Sequence, residues 1–329
     1  MSTFAAVTLF IGVIAYAVLG GADYGAGFWD LTAGGARRGA VARNLIDRTL
    51  APVWEANHVW LIFCLVVLWT AFSTAFAAIT TTLFIPLGLA ALGIVVRGSG
   101  FAFRKQLVRT EHQRAAGAAF AASSILTPFF LGTVAGGIAS GRVPGSAVSS
   151  WVNPTSLLGG VLAVLVTAFV AAVFLTAEAR RLGDDRAERW FTRRAWASAL
   201  VAGAVSLAGI AILHADSPRL FSGLTGRGLP LVILSALAGL ACLLVSHRLP
   251  PRALQLLAVI AAATVVAGWG VAQYPFLLGT HLSIAEAAAP DATLIALVVL
   301  AAGALVLVVP SVGLLFVLQQ RGSLEPPSH

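Results

Sequence analysis

The charges in this sequence sit in short clusters, and between the clusters run apolar stretches of about 20 residues, the length that crosses a bilayer core as a helix. Such runs fall at 4–28, 52–72, 76–97, 116–140, 155–177, 195–213, 229–246, 253–273 and 291–318, so about nine transmembrane helices are predicted. Backbone in lipid must bond to itself, which leaves helices as the reading for apolar runs of this length. Only 10% of residues are charged, against about 25% in a soluble domain, so the chain cannot cover a water-facing surface. The first and last runs are long, and Pro310 is a candidate kink in the last. The first run carries Asp23 and lacks a small-residue cleavage site behind it, so it reads as a retained helix.

Placement of the basic residues orients the chain. With the N-terminus outside and the C-terminus in the cytoplasm, the cytoplasmic segments are 29–51, 98–115, 178–194, 247–252 and the tail after 318. Of the 21 basic residues, only Arg142, Arg219 and Arg227 then face outside. The net charge of +8 reflects this pattern and not a basic patch, so no nucleic-acid partner is expected. The loops are too short to fold alone, so the chain reads as one integral membrane domain. A first bundle of four helices (1–140) is expected to carry the proton-path motifs, and five helices follow (155–318). The charged stretch Glu178 to Arg194 is expected as a solvated cytoplasmic loop, and Asp30, at a loop edge, as solvated.

Ionisable groups inside a span are costly and mark candidate sites. Asp23 lies near the cytoplasmic end of the first run, in GGADYGAGFWD, and Glu55 lies early in the second, in PVWEANHVW. Antiparallel neighbours would bring the two carboxylates to similar depth. One reading is a proton inlet, since carboxylates in low dielectric exchange protons closer to neutral pH. The other is a pair of capping or helix-bonding carboxylates. His58 follows Glu55 by three residues and shares its helix face, with Asn57 as hydrogen-bond support. Trp54 and Trp60 are expected at the membrane interface. Arg97 and Arg104 are expected as positive-inside anchors, or as contacts to a lipid or partner carboxylate.

Other residues exclude chemistry. Cys64 and Cys242 lie in apolar runs and no CxxC is present, so no thiolate metal site or redox dithiol is readable. Met1 is the only methionine and His58 the only histidine well inside a span, so the chain is expected to ligate no metal and no haem. The glycines at 20, 21, 25 and 27 read as a close-packing surface, and Asn153-Pro154 as a helix start.

The stretches GGADYGAGFWDL (20–31), APVWEANHVWLIF (51–63) and AFSTAFAAITTTLFIPLGLAALGIVVRGSGFAFR (71–104) resemble subunit II of cytochrome bd quinol oxidases. WVNPTSLLGGV (151–161) and YPFLLG (274–279), leading to Asp291-Ala292-Thr293, extend the likeness along most of the chain. The resemblance implies an all-α polytopic fold of nine helices, as two four-helix bundles and one peripheral helix, in a bacterial cytoplasmic membrane. It implies a complex that oxidises quinol, reduces dioxygen to water and generates a proton gradient. Haems b558, b595 and d and the quinol-binding loop would belong to the partner, subunit I. A structural quinone and small single-helix accessory subunits are compatible with it. It further implies that Glu55 belongs to a proton path toward the haem d side and that Asp23 matches a second acidic position. Some members carry another acid where this chain has Gly20, and members have Gln or His at the position of His58. Two rivals stand beside this reading. A proton-coupled secondary transporter would show broken helices at matching places in two halves. A scaffold would use the carboxylates only to tie helices together.

Overall fold

The computed structural model describes residues 1–50, 57–106 and 110–320. The chain opens with α1 (Ser2–Ala15), one π-helical turn (Tyr16–Gly20) and α2 (Gly21–Thr32), followed by α3 (Ala36–Leu50). Next come α4 (Val59–Ala71), α5 (Ser73–Thr82), α6 (Phe84–Gln106) and α7 (Thr110–Ala139). The second half holds α8 (Pro154–Leu182), α9 (Asp185–Asp216), α10 (Pro218–Thr225), α11 (Leu229–Leu244) and α12 (Pro251–Gln273). A two-stranded antiparallel hairpin, β1 (Phe276–Leu278) and β2 (Leu282–Ser283), leads through α13 (Ile284–Ala287) to α14 (Asp291–Gln320).

Among the described residues, six helices are long and apolar enough to cross a membrane. Two bent pairs, α4 with α5 at 118° and α10 with α11 at 73°, raise that to eight if each pair is one span. The run expected at 76–97 is divided between α5 and α6 at Leu83, and the run at 52–72 is described only from Asn57. The chain leaves helical geometry at Phe72 (φ −137°, ψ 53°), and the carbonyl of Ala71 accepts from the Ala289 N–H at 2.8 Å. A carbonyl that a broken helix would leave without a partner is thereby satisfied. Large apolar side chains stand exposed along the helices, among them Leu207 (70%), Leu300 (72%) and Leu307 (72%), as a lipid-facing surface requires. The protein is a multi-pass membrane protein.

Local chemistry sets the helix ends. Asn153 caps α8, its side-chain oxygen accepting from the Ser156 N–H at 2.9 Å, with Pro154 in the first turn. Helix α8 ends on Gly183 at φ 70°, a left-handed cap that glycine adopts without strain. Asp184 then caps α9 by accepting from the N–H groups of Arg186 and Ala187. The stretch Glu178 to Arg194, expected as a solvated loop, is therefore almost wholly helical. Its Arg180 pairs with Glu188 at 2.7 Å and donates to the carbonyls of Ser246 and Leu249 at 2.8 Å. The 29–51 segment likewise contains α3, whose Ala42, Leu45 and Ile46 are buried. Asp30 is corrected too. It is 5% exposed and paired with Arg43 of α3 at 2.7 Å, because α3 folds back over the end of α2.

The glycines of α2 do pack closely. A Cβ on Gly25 would fall onto the Thr167 carbonyl of α8, and one on Gly27 would meet the Ser124 side chain of α7. Helix α2 is therefore wedged between α7 and α8, and the Trp29 indole donates to the Ala168 carbonyl at 2.8 Å. This wedge fixes the position of Asp23.

Candidate functional site

Asp23 lies on the buried face of α2 and is 2% exposed. Its carboxylate accepts from the side-chain amide of Asn57, which also donates to the Leu19 carbonyl at 3.3 Å. Leu19 belongs to the π turn, so one amide ties that turn, the carboxylate and the stretch before α4 together. Arg97 of α6 approaches from the other side. Its Nη2 donates to the Asp23 carbonyl at 3.0 Å and its Nε to the Ser124 hydroxyl at 3.2 Å. The guanidinium lies 4.9 Å from the Tyr24 ring centroid and 5.1 Å from that of Phe120. A cation and a carboxylate thus share one buried cluster, where charge interactions are stronger than in water.

Two tyrosines and a histidine complete it. The hydroxyls of Tyr16 and Tyr24 are hydrogen-bonded at 2.9 Å. The His58 ring lies 6.1 Å from that of Tyr16 and 6.3 Å from that of Tyr24. Tyr24 and Asn57 are buried, whereas Tyr16 and His58 are half-buried, so the cluster reaches the surface of the chain at their edge.

The structure therefore brings together Asp23, Asn57 and His58. Glu55 and Trp54 lie outside the described residues. Arg97, expected at a lipid or partner contact, is instead 2% exposed, because its hydrogen bonds are made inside the chain. Trp60 is 7% exposed and so does not face lipid. Arg104 lies near the C-terminal end of α6. Sequence reasoning passed over Tyr16, Tyr24 and Ser124. The signal was there for the tyrosines, since two of the three in the chain flank Asp23. Among the described residues, no three His, Cys, Asp or Glu side chains are grouped to hold a metal ion.

The family model described as cytochrome bd terminal oxidase subunit II matches residues 1–319. The chain is 28% identical over 183 residues to the cytochrome bd ubiquinol oxidase subunit 2 of Bacillus subtilis, covering 54% of this chain and 52% of that protein. It is 26% identical over 189 residues to the cytochrome bd-I ubiquinol oxidase subunit 2 of Escherichia coli K12, covering 54% and 48%. The chain thus spans about half the length of the curated relatives it matches. In fold it is similar to a chain of the bd oxidase structure from Geobacillus thermodenitrificans, with a TM-score of 0.77 and 23% identity, covering 96% of this chain and 97% of that one.

Proposed function

The chain belongs to the family of cytochrome bd terminal oxidase subunit II, and from that premise we propose that it works as the proton-supplying subunit of a quinol-oxidising, dioxygen-reducing complex. It sits in a bacterial cytoplasmic membrane with its N-terminus outside, as nine helices in two four-helix bundles and one peripheral helix. Its partner is a haem-bearing subunit I. The observation that carries the reading is Asp23, a buried carboxylate hydrogen-bonded to Asn57 of the same short motif that holds Glu55.

The haems, carried by the partner, supply the electron transfer and oxygen chemistry. This chain supplies the protons that compensate electrons arriving in a low-dielectric interior. Glu55 and Asp23 take up protons from the cytoplasmic side and pass them on toward the partner. Asn57 holds the Asp23 carboxylate by donating to it. Arg97 provides the balancing positive charge when that carboxylate is ionised, and its bond to the Asp23 carbonyl fixes the local backbone. His58, beside the tyrosine pair, lines the same cluster.

Replacing Glu55 or Asp23 by its amide tests the reading in the complex purified with its partner. The inlet expects assembly with normal yield and oxygen consumption slowed at least about tenfold, within the range a positioned proton donor supplies. Wild-type turnover with an unchanged haem d band would reduce the carboxylates to helix ties. Quinol oxidation that does not depend on this chain at all would favour a proton-coupled transporter.

A further inference from the structure

We propose that the Tyr16–Tyr24 hydroxyl pair is a proton relay, set by the π turn of the first helix, that carries protons from the level of Asp23 toward Tyr16 at the surface of the chain. This rests on the proton-inlet reading of Asp23 and extends it by two residues.

The geometry follows from the helix itself. In a regular α-helix two residues eight apart are rotated by about 80° and their side chains point to different neighbours. Between Tyr16 and Tyr24 the helix contains the π turn Tyr16–Gly20, in which the Gly21 N–H reaches back five residues to the Tyr16 carbonyl. The added residue brings this eight-residue spacing close to the rotation of a seven-residue spacing, about 20° from alignment. Tyr24 leans toward the helix N-terminus, as long helical side chains do, and its hydroxyl meets that of Tyr16 at 2.9 Å. The pair therefore joins side chains that start about two helical turns apart.

The surroundings hold it in that register. The Tyr16 ring lies over Gly20, where an added Cβ would come within 2.8 Å of it, so the ring occupies the space a side chain at position 20 would need. Arg97 lies over the Tyr24 ring. Asn57 binds both the Leu19 carbonyl of the π turn and the Asp23 carboxylate, so the turn and the acid are fixed to each other. Tyr24 is 2% exposed while Tyr16 is half-buried, which gives the relay an inner and an outer end.

Transfer needs no tyrosinate. A proton delivered from the Asp23 side to the inner phenol oxygen forms a new O–H bond as that oxygen passes its own hydrogen to the outer phenol, which releases one in turn to water or to a base of the partner subunit at the surface of the chain. Each oxygen ends with one hydrogen and one positive charge has moved. Rotation of both hydroxyls restores the starting pattern.

Tyr16→Phe and Tyr24→Phe test this in the complex with its haem-bearing partner. Phenylalanine keeps each ring in place and removes only the hydroxyl. Expected are unchanged yield and haem spectrum, oxygen consumption slowed at least about fivefold, and a larger solvent isotope effect in heavy water, as for loss of a positioned proton donor. The double variant should be no slower than either single one. Should either variant assemble poorly, Tyr16→His supplies a second test, since a ring that passes protons should turn over faster than Tyr16→Phe. Wild-type rates and isotope effects in both Phe variants, with Asp23→Asn slowed, would overturn the relay and leave the inlet standing. Wild-type turnover in Asp23→Asn would overturn both.

Discussion

Asn57 donates its side-chain amide to the Asp23 carboxylate across 34 positions of sequence, and this bond joins the first helix to the segment that precedes α4. The same amide holds the Leu19 carbonyl. Asn57→Ala should therefore loosen the π turn and the carboxylate together. Leaving a buried acceptor without its donor costs about 1–3 kcal/mol, and more where the acceptor is charged. The thermal midpoint of the solubilised complex should fall, and oxygen consumption should fall with it. Asn57→Asp, which sets a second acid against Asp23, should be more damaging than alanine.

Arg97 is the positive charge of the cluster, and its replacement separates charge from shape. Arg97→Leu removes the donor to the Asp23 carbonyl and the compensating cation at once. The expected loss is about 1–3 kcal/mol, as for leaving the buried Asp23 carbonyl and Ser124 hydroxyl without their donor. Arg97→Lys keeps the charge but cannot reach Ser124 and the Asp23 carbonyl from one planar group, so it should fall between. Thermal unfolding followed by tryptophan fluorescence ranks the three forms.

Gly25→Ala probes the wedge that positions Asp23. An added methyl group would meet the Thr167 carbonyl and the Ala171 side chain, so α2 and α8 must part. Overpacking of this kind costs about 1–3 kcal/mol. The yield of assembled complex should drop, whereas Gly35→Ala, with nothing near the added group, should leave it unchanged.

Asp216, at the end of α9, accepts both Arg142 Nη atoms, at 3.1 and 2.8 Å, and also the Thr155 N–H and hydroxyl. It ties α9, the start of α8 and the turn after α7 into one corner. Asp216→Ala should cost about 2 kcal/mol, a typical value for charge-assisted hydrogen bonds in a partly buried site. Arg142→Ala added to it should cost little more. A double-mutant cycle in thermal unfolding checks this.

The capping box of α13 gives a pH signature. The Glu286 carboxylate accepts from the Ser283 N–H at 2.9 Å and hydroxyl at 2.7 Å, which holds its pKa below the ordinary glutamate range. Its contribution to stability is complete above that range and is lost as pH falls through the lowered value. Glu286→Gln should flatten the acid limb of the stability profile and leave the neutral limb alone.

Much of this architecture is legible in the sequence because lipid enforces it. Runs of about 20 apolar residues have few alternatives to a spanning helix, and the Asn153-Pro154 start and the α2 glycines behave as their chemistry dictates. The bends at Phe72 and Leu83 are not legible there, because apolar composition continues through both, and at Phe72 the Ala71 carbonyl is satisfied by Ala289, a residue distant in sequence. Arg97 reads as an interface anchor because a sequence shows its distance from a helix end and not what packs over it. The π turn is invisible for a similar reason, since YAVLG carries no helix breaker beyond glycine.

Proton uptake from the inner side during turnover tests the account most directly, in liposomes that hold the complex with its partner subunit. With Asp23→Asn, the account expects a haem spectrum like that of the wild type, with proton uptake and oxygen consumption slowed together. Wild-type uptake by that variant would contradict it.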